Sequence, residues 1–268
     1  MSEHPIIRVQ HVVKAFGKVT AVDDVSFDVR AGEIFAFLGP NGAGKTTTIK
    51  MLTTLLRPTS GALELDGLDP AKEQTEVRRR IGVVFQDPSL DSELTAWENM
   101  DIHGVLYHVP KPVRRERTEA LLKLFELWER RADLVKTFSG GMKRRLEIAR
   151  GLLHTPKVLF LDEPTLGLDP QSRNQMWSVV QNLNKSEGVT VFLTTHYMDE
   201  ADRAADRIAV IDHGRLVATG SSAELKAQTK TDSLEGAFLA LTGTTIRDES
   251  ATAADGVRAF ARAWRPNR

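Results

Sequence analysis

The chain has 268 residues, room for one large or two smaller domains, and with 41% hydrophobic and 27% charged residues it is globular rather than disordered, collagenous or coiled-coil. Lys plus Arg and Asp plus Glu both number 36, so the formal charge is zero, which argues against a dedicated nucleic-acid surface. Without cysteine there is no disulfide framework, thiolate nucleophile or Cys-ligated zinc, and a reducing cytosol is expected.

In chain order, Ile6 to Val12, Val25 to Val29 and Leu63 to Leu65 are short β-rich runs, the first two alternating, and they predict an antiparallel N-terminal sheet. Five other runs are apolar almost throughout: Ile34 to Leu38, Ile81 to Phe85, Val158 to Leu161, Thr190 to Leu193 and Ile208 to Ile211. Such strands are covered on both faces and predict a buried parallel sheet. Between the second and third of them, residues from about 87 to 155 are charge-rich with helical periodicity, as in an inserted helical subdomain. There Leu121, Leu124, Phe125 and Trp128 make a stripe expected to pack as core, and the cluster Arg114, Arg115, Glu116, Arg117 and Glu119 is expected to be a solvated face. The main domain then runs over 1–243, and 244–268 is a polar linker followed by a stretch whose Val257, Phe260, Ala261 and Trp264 share one helical side, a docking tail or a frayed end. No run is long enough to cross a bilayer and the first ten residues lack a leader's pattern, so the chain is not expected to be an integral membrane protein. The sequon Asn184-Lys185-Ser186 reads as a polar helix end.

The strongest chemical signal is Gly39-Pro40-Asn41-Gly42-Ala43-Gly44-Lys45-Thr46-Thr47, directly after an apolar strand. It meets the G-x-x-x-x-G-K-[ST] phosphate-loop pattern: backbone N–H groups and a helix N-terminus cradle phosphates, Lys45 reaches the β and γ phosphates, and the Thr46 hydroxyl ligates magnesium. Next, Val158 to Leu161 delivers Asp162 and Glu163 at a strand's C-terminal edge, where ligands of open α/β sheets bind. Asp162 is expected to hold magnesium and Glu163 to polarise the attacking water; capping of the next turn is the plainer use of either acid. Third, Ser139-Gly140-Gly141 precedes an amphipathic helix bearing Met142, Leu146, Ala149 and Leu153, as a second anion site or simply a helix cap.

Together these residues resemble the nucleotide-binding subunits of ATP-binding cassette (ABC) transporters, over about Ile6 to Gly243. The resemblance implies an α/β P-loop NTPase fold, a mixed sheet with a parallel core, an N-terminal antiparallel β subdomain and an inserted helical subdomain. It implies ATP and Mg2+ as ligands, and a second copy of the chain whose signature, here Phe138-Ser139-Gly140-Gly141-Met142, closes over the first copy's ATP. The common form is L-S-G-G-Q, so Phe138 and Met142 are departures. Family roles carry over as follows: Gln86 touches magnesium and the attacking water, Phe16 stacks on adenine, Asp169 contacts the opposite subunit, and His196 bonds the γ-phosphate. Pro170 opens a helix at its first position.

The string from Ser139 to Leu146, the run Asp162 to Asp169 and the segment Asp232 to Gly243 resemble the exporter branch that includes daunorubicin-type drug, polysaccharide and sodium exporters, whose membrane permease is a separate chain. A cytoplasmic-face, peripheral location follows from that resemblance, with no direct nucleic acid expected. The competing readings are a soluble ABC ATPase acting on nucleic acid or the ribosome, and an import ATPase. The single phosphate loop and lack of a heptad run disfavour the first. Asn184-Lys185-Ser186-Glu187 lacks the aspartate of a guanine-reading motif, and the basic triplets Arg78 to Arg80 and Lys143 to Arg145 read as surface or interface residues.

Overall fold

Alternating and continuous apolar runs separate into two sheets in the computed structural model, which describes residues 5–243 apart from Pro88; the tail from 244 lies outside the described residues. Along the chain come β1 (Ile7–Phe16), β2 (Val19–Val29), β3 (Ile34–Leu38), α1 (Lys45–Leu52), β4 (Ser60–Leu65), α2 (Gln74–Arg80), β5 (Ile81–Val84), α3 (Ala96–Leu106), α4 (Lys111–Leu124), α5 (Gly140–Leu152), β6 (Val158–Asp162), α6 (Pro170–Glu187), β7 (Thr190–Thr194), α7 (Met198–Ala204), β8 (Arg207–Asp212), β9 (Arg215–Gly220), α8 (Ser222–Thr229) and α9 (Leu234–Thr242). The small sheet has the order β2-β1-β4 and is antiparallel. The large one has the order β5-β6-β7-β3-β8-β9 and is parallel except for β9, which runs antiparallel to β8. β9 is not among the strands predicted from sequence: only Ala218 of its six residues is buried, so this edge strand lacks the apolar run that marks the others.

Alternation along β3 builds two cores at once. Ile34, Ala36 and Leu38 pack with Leu146, Ile148 and Ala149 of α5 and Met176 and Val180 of α6. Phe35 and Phe37 enter the opposite core with Val25 and Phe27 of β2 and Ile49 of α1. There Phe27, Phe35, Phe37 and Phe192 stack and tilt on one another with centroids between 5.3 and 6.1 Å, fastening the small sheet to the large. Truncating one such ring costs about 3–5 kcal/mol.

Two expectations for the helical stretch need correction. The stripe is not one helical seam: α4 stops at Leu124, Glu126 turns the chain out at φ +57°, and Trp128 sits on a separate short 3-10 turn. Phe125 is buried with Leu122, Leu121 and Trp128 pack partly against the same core, and Leu124 is exposed. Nor is Arg114 solvated. It is buried, its Nε donating to Asp101 Oδ1 of α3 at 2.5 Å and its Nη1 to the Val109 carbonyl at 3.0 Å. A partner on another helix makes this cation cheaper to bury, a relation no local pattern displays.

Candidate active site

Parallel strands send their following loops to one edge, and here β3, β5, β6 and β7 deliver the phosphate loop, Gln86, Asp162 with Glu163, and His196 to that edge. Gly44 is the residue before α1, at φ +110°, where a Cβ would stand 2.5 Å from the Ala21 carbonyl oxygen, so the turn requires glycine. Behind it Lys45 is buried, donating from Nζ to the carbonyls of Gly39 at 2.6 Å and Pro40 at 3.2 Å. Burial pushes its ammonium down from the usual lysine range, against the opposing pull of Glu163 and Asp162. The loop from Asn41 to Thr47 lines one pocket together with Gln86, Asp162 and Glu163.

The β6–β7 register sets Asp162 beside Thr194. The Thr194 hydroxyl donates to Asp162 Oδ1 at 2.6 Å and accepts the Glu163 N–H at 3.1 Å. Burial raises the Asp162 pKa, Glu163 adds to the rise, and the Thr194 and Thr46 hydroxyls and the Lys45 ammonium oppose it. Glu163 itself has φ +48°, a left-handed conformation rare for a residue with a side chain. Its Oε2 lies 2.8 Å from His196 Nδ1 and accepts the His196 backbone N–H at 3.2 Å. Thr46, Asp162 and Gln86 thus offer hard oxygen donors in one pocket, a set that fits magnesium held partly by nucleotide phosphates.

Comparison with known proteins decides what this pocket belongs to: residues 22–166, more than half of the chain, match the family model described as ABC transporter. The chain belongs to the ABC transporter ATPases. It is 51% identical to the daunorubicin/doxorubicin resistance ATP-binding protein of Streptomyces peucetius, over 82% of this chain and 67% of that protein. It is 46% identical to the Nod factor export ATP-binding protein I of Ralstonia nicotianae, over 82% of this chain and 68% of that one. A dimeric ATP-binding cassette solved in a post-hydrolysis state with ADP and Pi superposes with a TM-score of 0.73 at 30% identity, covering 80% of this chain and 98% of that one. The chain is accordingly an enzyme that binds and hydrolyses ATP.

In this ABC ATPase the other expected site residues are not gathered into that pocket. Ser139 caps α5, its Oγ accepting the Met142 N–H at 3.3 Å, and Ser139 and Gly140 are exposed. Asp169 caps α6, accepting the Ser172 N–H at 2.9 Å and the Ser172 hydroxyl at 2.6 Å. The two caps adjoin, since a Cβ on Gly141 would come 2.8 Å from Ser172 Oγ. Phe16 ends β1 and is 48% exposed, with the Lys14 ammonium 5.0 Å from its ring centroid, outside the phosphate pocket's lining. Sequence reasoning missed Arg144: read as part of a surface or interface triplet, it is buried and donates to the carbonyls of Asp162, Glu163 and Pro164. It also missed Thr194, whose only signal is its position beside the β6 acid.

Proposed function

We propose that this ATPase is the energy-supplying subunit of an exporter and works as a pair of copies, each holding ATP in its own phosphate pocket. Residues Gly39 to Thr47 cradle the phosphates, Lys45 neutralises the β and γ groups, and Phe16 stacks on adenine. Thr46, Asp162 and Gln86 hold magnesium, which when bound neutralises phosphate charge as the terminal phosphoryl transfers. Glu163 takes a proton from the attacking water, and His196 orients the γ-phosphate once ATP draws it from the Glu163 carboxylate. Ser139, Gly140, Gly141 and Asp169 of one copy close over the ATP of the other.

The observation that carries this reading is the division of the motifs: Gln86, Asp162 and Glu163 line the pocket with the phosphate loop, while Ser139 and Gly140 stay exposed outside it. A second surface completes each site. Residues 87–155, as a helical subdomain inserted in the domain 1–243, would pass closure to a separate membrane permease at the cytoplasmic face. Among the described residues no helix is long and apolar enough to cross a membrane. Export is supported by the likeness to the Ralstonia protein, a Nod factor export ATP-binding protein.

The test uses a tagged Glu163→Gln chain. ATP binding is retained while hydrolysis falls about 100- to 10,000-fold, because the proton acceptor is lost and the phosphate cradle remains. Membranes solubilised in mild detergent with ATP should yield a stoichiometric polytopic membrane protein by mass spectrometry. Recovery of ribosomal or nucleic-acid proteins alone points to the soluble ABC class, and a periplasmic binding protein points to import.

A further inference from the structure

We propose that Arg144 is a positioning residue for ATP hydrolysis: it holds Glu163 in its left-handed backbone conformation and ties that conformation to the segment bearing Gln86. The proposal rests on the assignment of Glu163 as the proton acceptor. A guanidinium has five N–H groups, and here each meets an acceptor. Nε donates to the Pro164 carbonyl at 2.8 Å, and Nη2 donates to the carbonyls of Asp162 at 3.0 Å and Glu163 at 3.1 Å. Nη1 donates to the Phe85 carbonyl at 2.5 Å and to Glu147 Oε2 at 3.1 Å.

Those acceptors are not scattered. Three consecutive carbonyls bracket Glu163, whose φ of +48° is a conformation that persists only where the surroundings over-determine it. The fourth belongs to the residue immediately before Gln86. The same helix grips the far end of that segment, because Glu147 Oε1 accepts the Ser89 N–H at 2.7 Å and Arg150 donates to the Ser89 carbonyl at 2.8 Å. A shift of the Gln86 segment therefore pulls on the planar fork that fixes the backbone of Glu163. Lysine cannot reproduce this: it offers one nitrogen and no fork, though it keeps the charge.

The test is a double-mutant cycle on the purified full chain, read by single-turnover hydrolysis and by binding of a fluorescent ATP analogue. Arg144→Lys is expected to lower the hydrolysis rate about 10- to 100-fold, as for a reacting group misplaced by about 1 Å. Nucleotide affinity stays within about threefold, since the phosphate cradle is untouched, and adding Arg144→Lys to Glu163→Gln brings no further loss. An unchanged rate in Arg144→Lys, a loss that multiplies with that of Glu163→Gln, or affinity falling in step with rate would each overturn the proposal. Should Glu163→Gln keep the wild-type rate, the assignment of the proton acceptor fails and this proposal falls with it, an outcome distinct from failure at Arg144 alone. If thermal melting shows Arg144→Lys unfolded, Glu147→Gln replaces it in the cycle; it keeps shape, loosens the guanidinium, and is expected to slow hydrolysis several-fold with the same dependence on Glu163.

Discussion

The phosphate-loop pocket and the Ser139 end of α5 differ in how their polar groups are satisfied. Around the pocket, Lys45 donates to two carbonyls, Asp162 is bonded by Thr194, Glu163 meets His196, and Arg144 fills all five of its N–H groups. At the other end, Ser139 and Gly140 are exposed, and Ser139 and Asp169 bond only to residues of their own helix ends. Buried charge is costly unless paired, so in the pocket these bonds offset that cost before any nucleotide arrives, whereas the exposed caps have little to offset. One half of the proposed machinery is thus preorganised within a chain, and the other half is presented outward. Substitutions in the phosphate cradle itself should damage binding and turnover together; those at Glu163, at Arg144 and in the outward-facing caps should spare binding.

The largest effect expected within this contrast is at Lys45. Lys45→Ala removes a buried ammonium proposed to neutralise the β and γ phosphates, so ATP affinity should fall about 10- to 100-fold, the worth of hydrogen bonds to charged groups. Turnover should fall about 100- to 1,000-fold, as when one preorganised donor is lost from a site of developing charge. Isothermal titration with ATP and a phosphate-release assay measure the two separately. Wild-type affinity in this variant would break the claim that Lys45 belongs to a preorganised phosphate cradle.

A smaller effect, confined to turnover, is expected at Gly141. An alanine there would bring its Cβ to 2.8 Å from Ser172 Oγ and 3.1 Å from Ser172 Cβ. Ser172 cannot swing away without losing its 2.6 Å bond to Asp169, so Gly141→Ala disturbs both outward-facing caps at once. Turnover should drop about tenfold or more while one chain's affinity for ATP is unchanged, misplacement rather than lost contact being the cause. Light scattering of the Glu163→Gln, Gly141→Ala double variant with ATP should show fewer dimers than Glu163→Gln alone. Equal dimer content would remove these caps from the interface.

Legibility followed the same division between local and distant chemistry. The phosphate loop, the acids after β6 and the caps Ser139 and Asp169 are runs of neighbouring residues, and each came out where the pattern set it. The parallel strands were legible because their apolar runs are unbroken, and β9 was not, because an exposed edge strand needs no such run. Arg114 was expected on a solvated face and Arg144 in a surface or interface triplet, both on the strength of charged neighbours. Their acceptors lie on β6 and its exit loop and on α3, and a cation's burial depends on partners that sequence spacing does not reveal. Thr194 was invisible for the same reason: only the β6–β7 register makes it a ligand of Asp162.

The smallest effect concerns the helical stretch on the Ser139 side and depends on pH. His103 of α3 packs against Tyr107 at 4.6 Å, Tyr107 stacks on His154 at 3.9 Å, and among the described residues His103 Nε2 has no hydrogen-bond partner. Burial, then the Arg150 cation, then His154 lower the His103 pKa from 6.5 to about 3. Between those values the unfolded chain binds a proton that the folded chain refuses, so stability rises with pH through this window; it is complete above 6.5 and drains as pH falls toward 3. The slope for one group has an upper limit of about 1.4 kcal/mol per pH unit, reduced here because the ring is only partly buried. His103→Phe keeps a ring of similar size and has nothing to protonate. Its melting temperature should match wild type near pH 8 and exceed it by a few degrees near pH 5, given about 2–4 °C per kcal/mol for a chain of this size. ATP affinity at pH 8 should not move, because the phosphate pocket takes no atom from this cluster. Parallel melting curves for the two proteins from pH 8 to pH 5 would show that His103 is not the group that titrates, and would shift attention to His154, whose pKa burial also lowers.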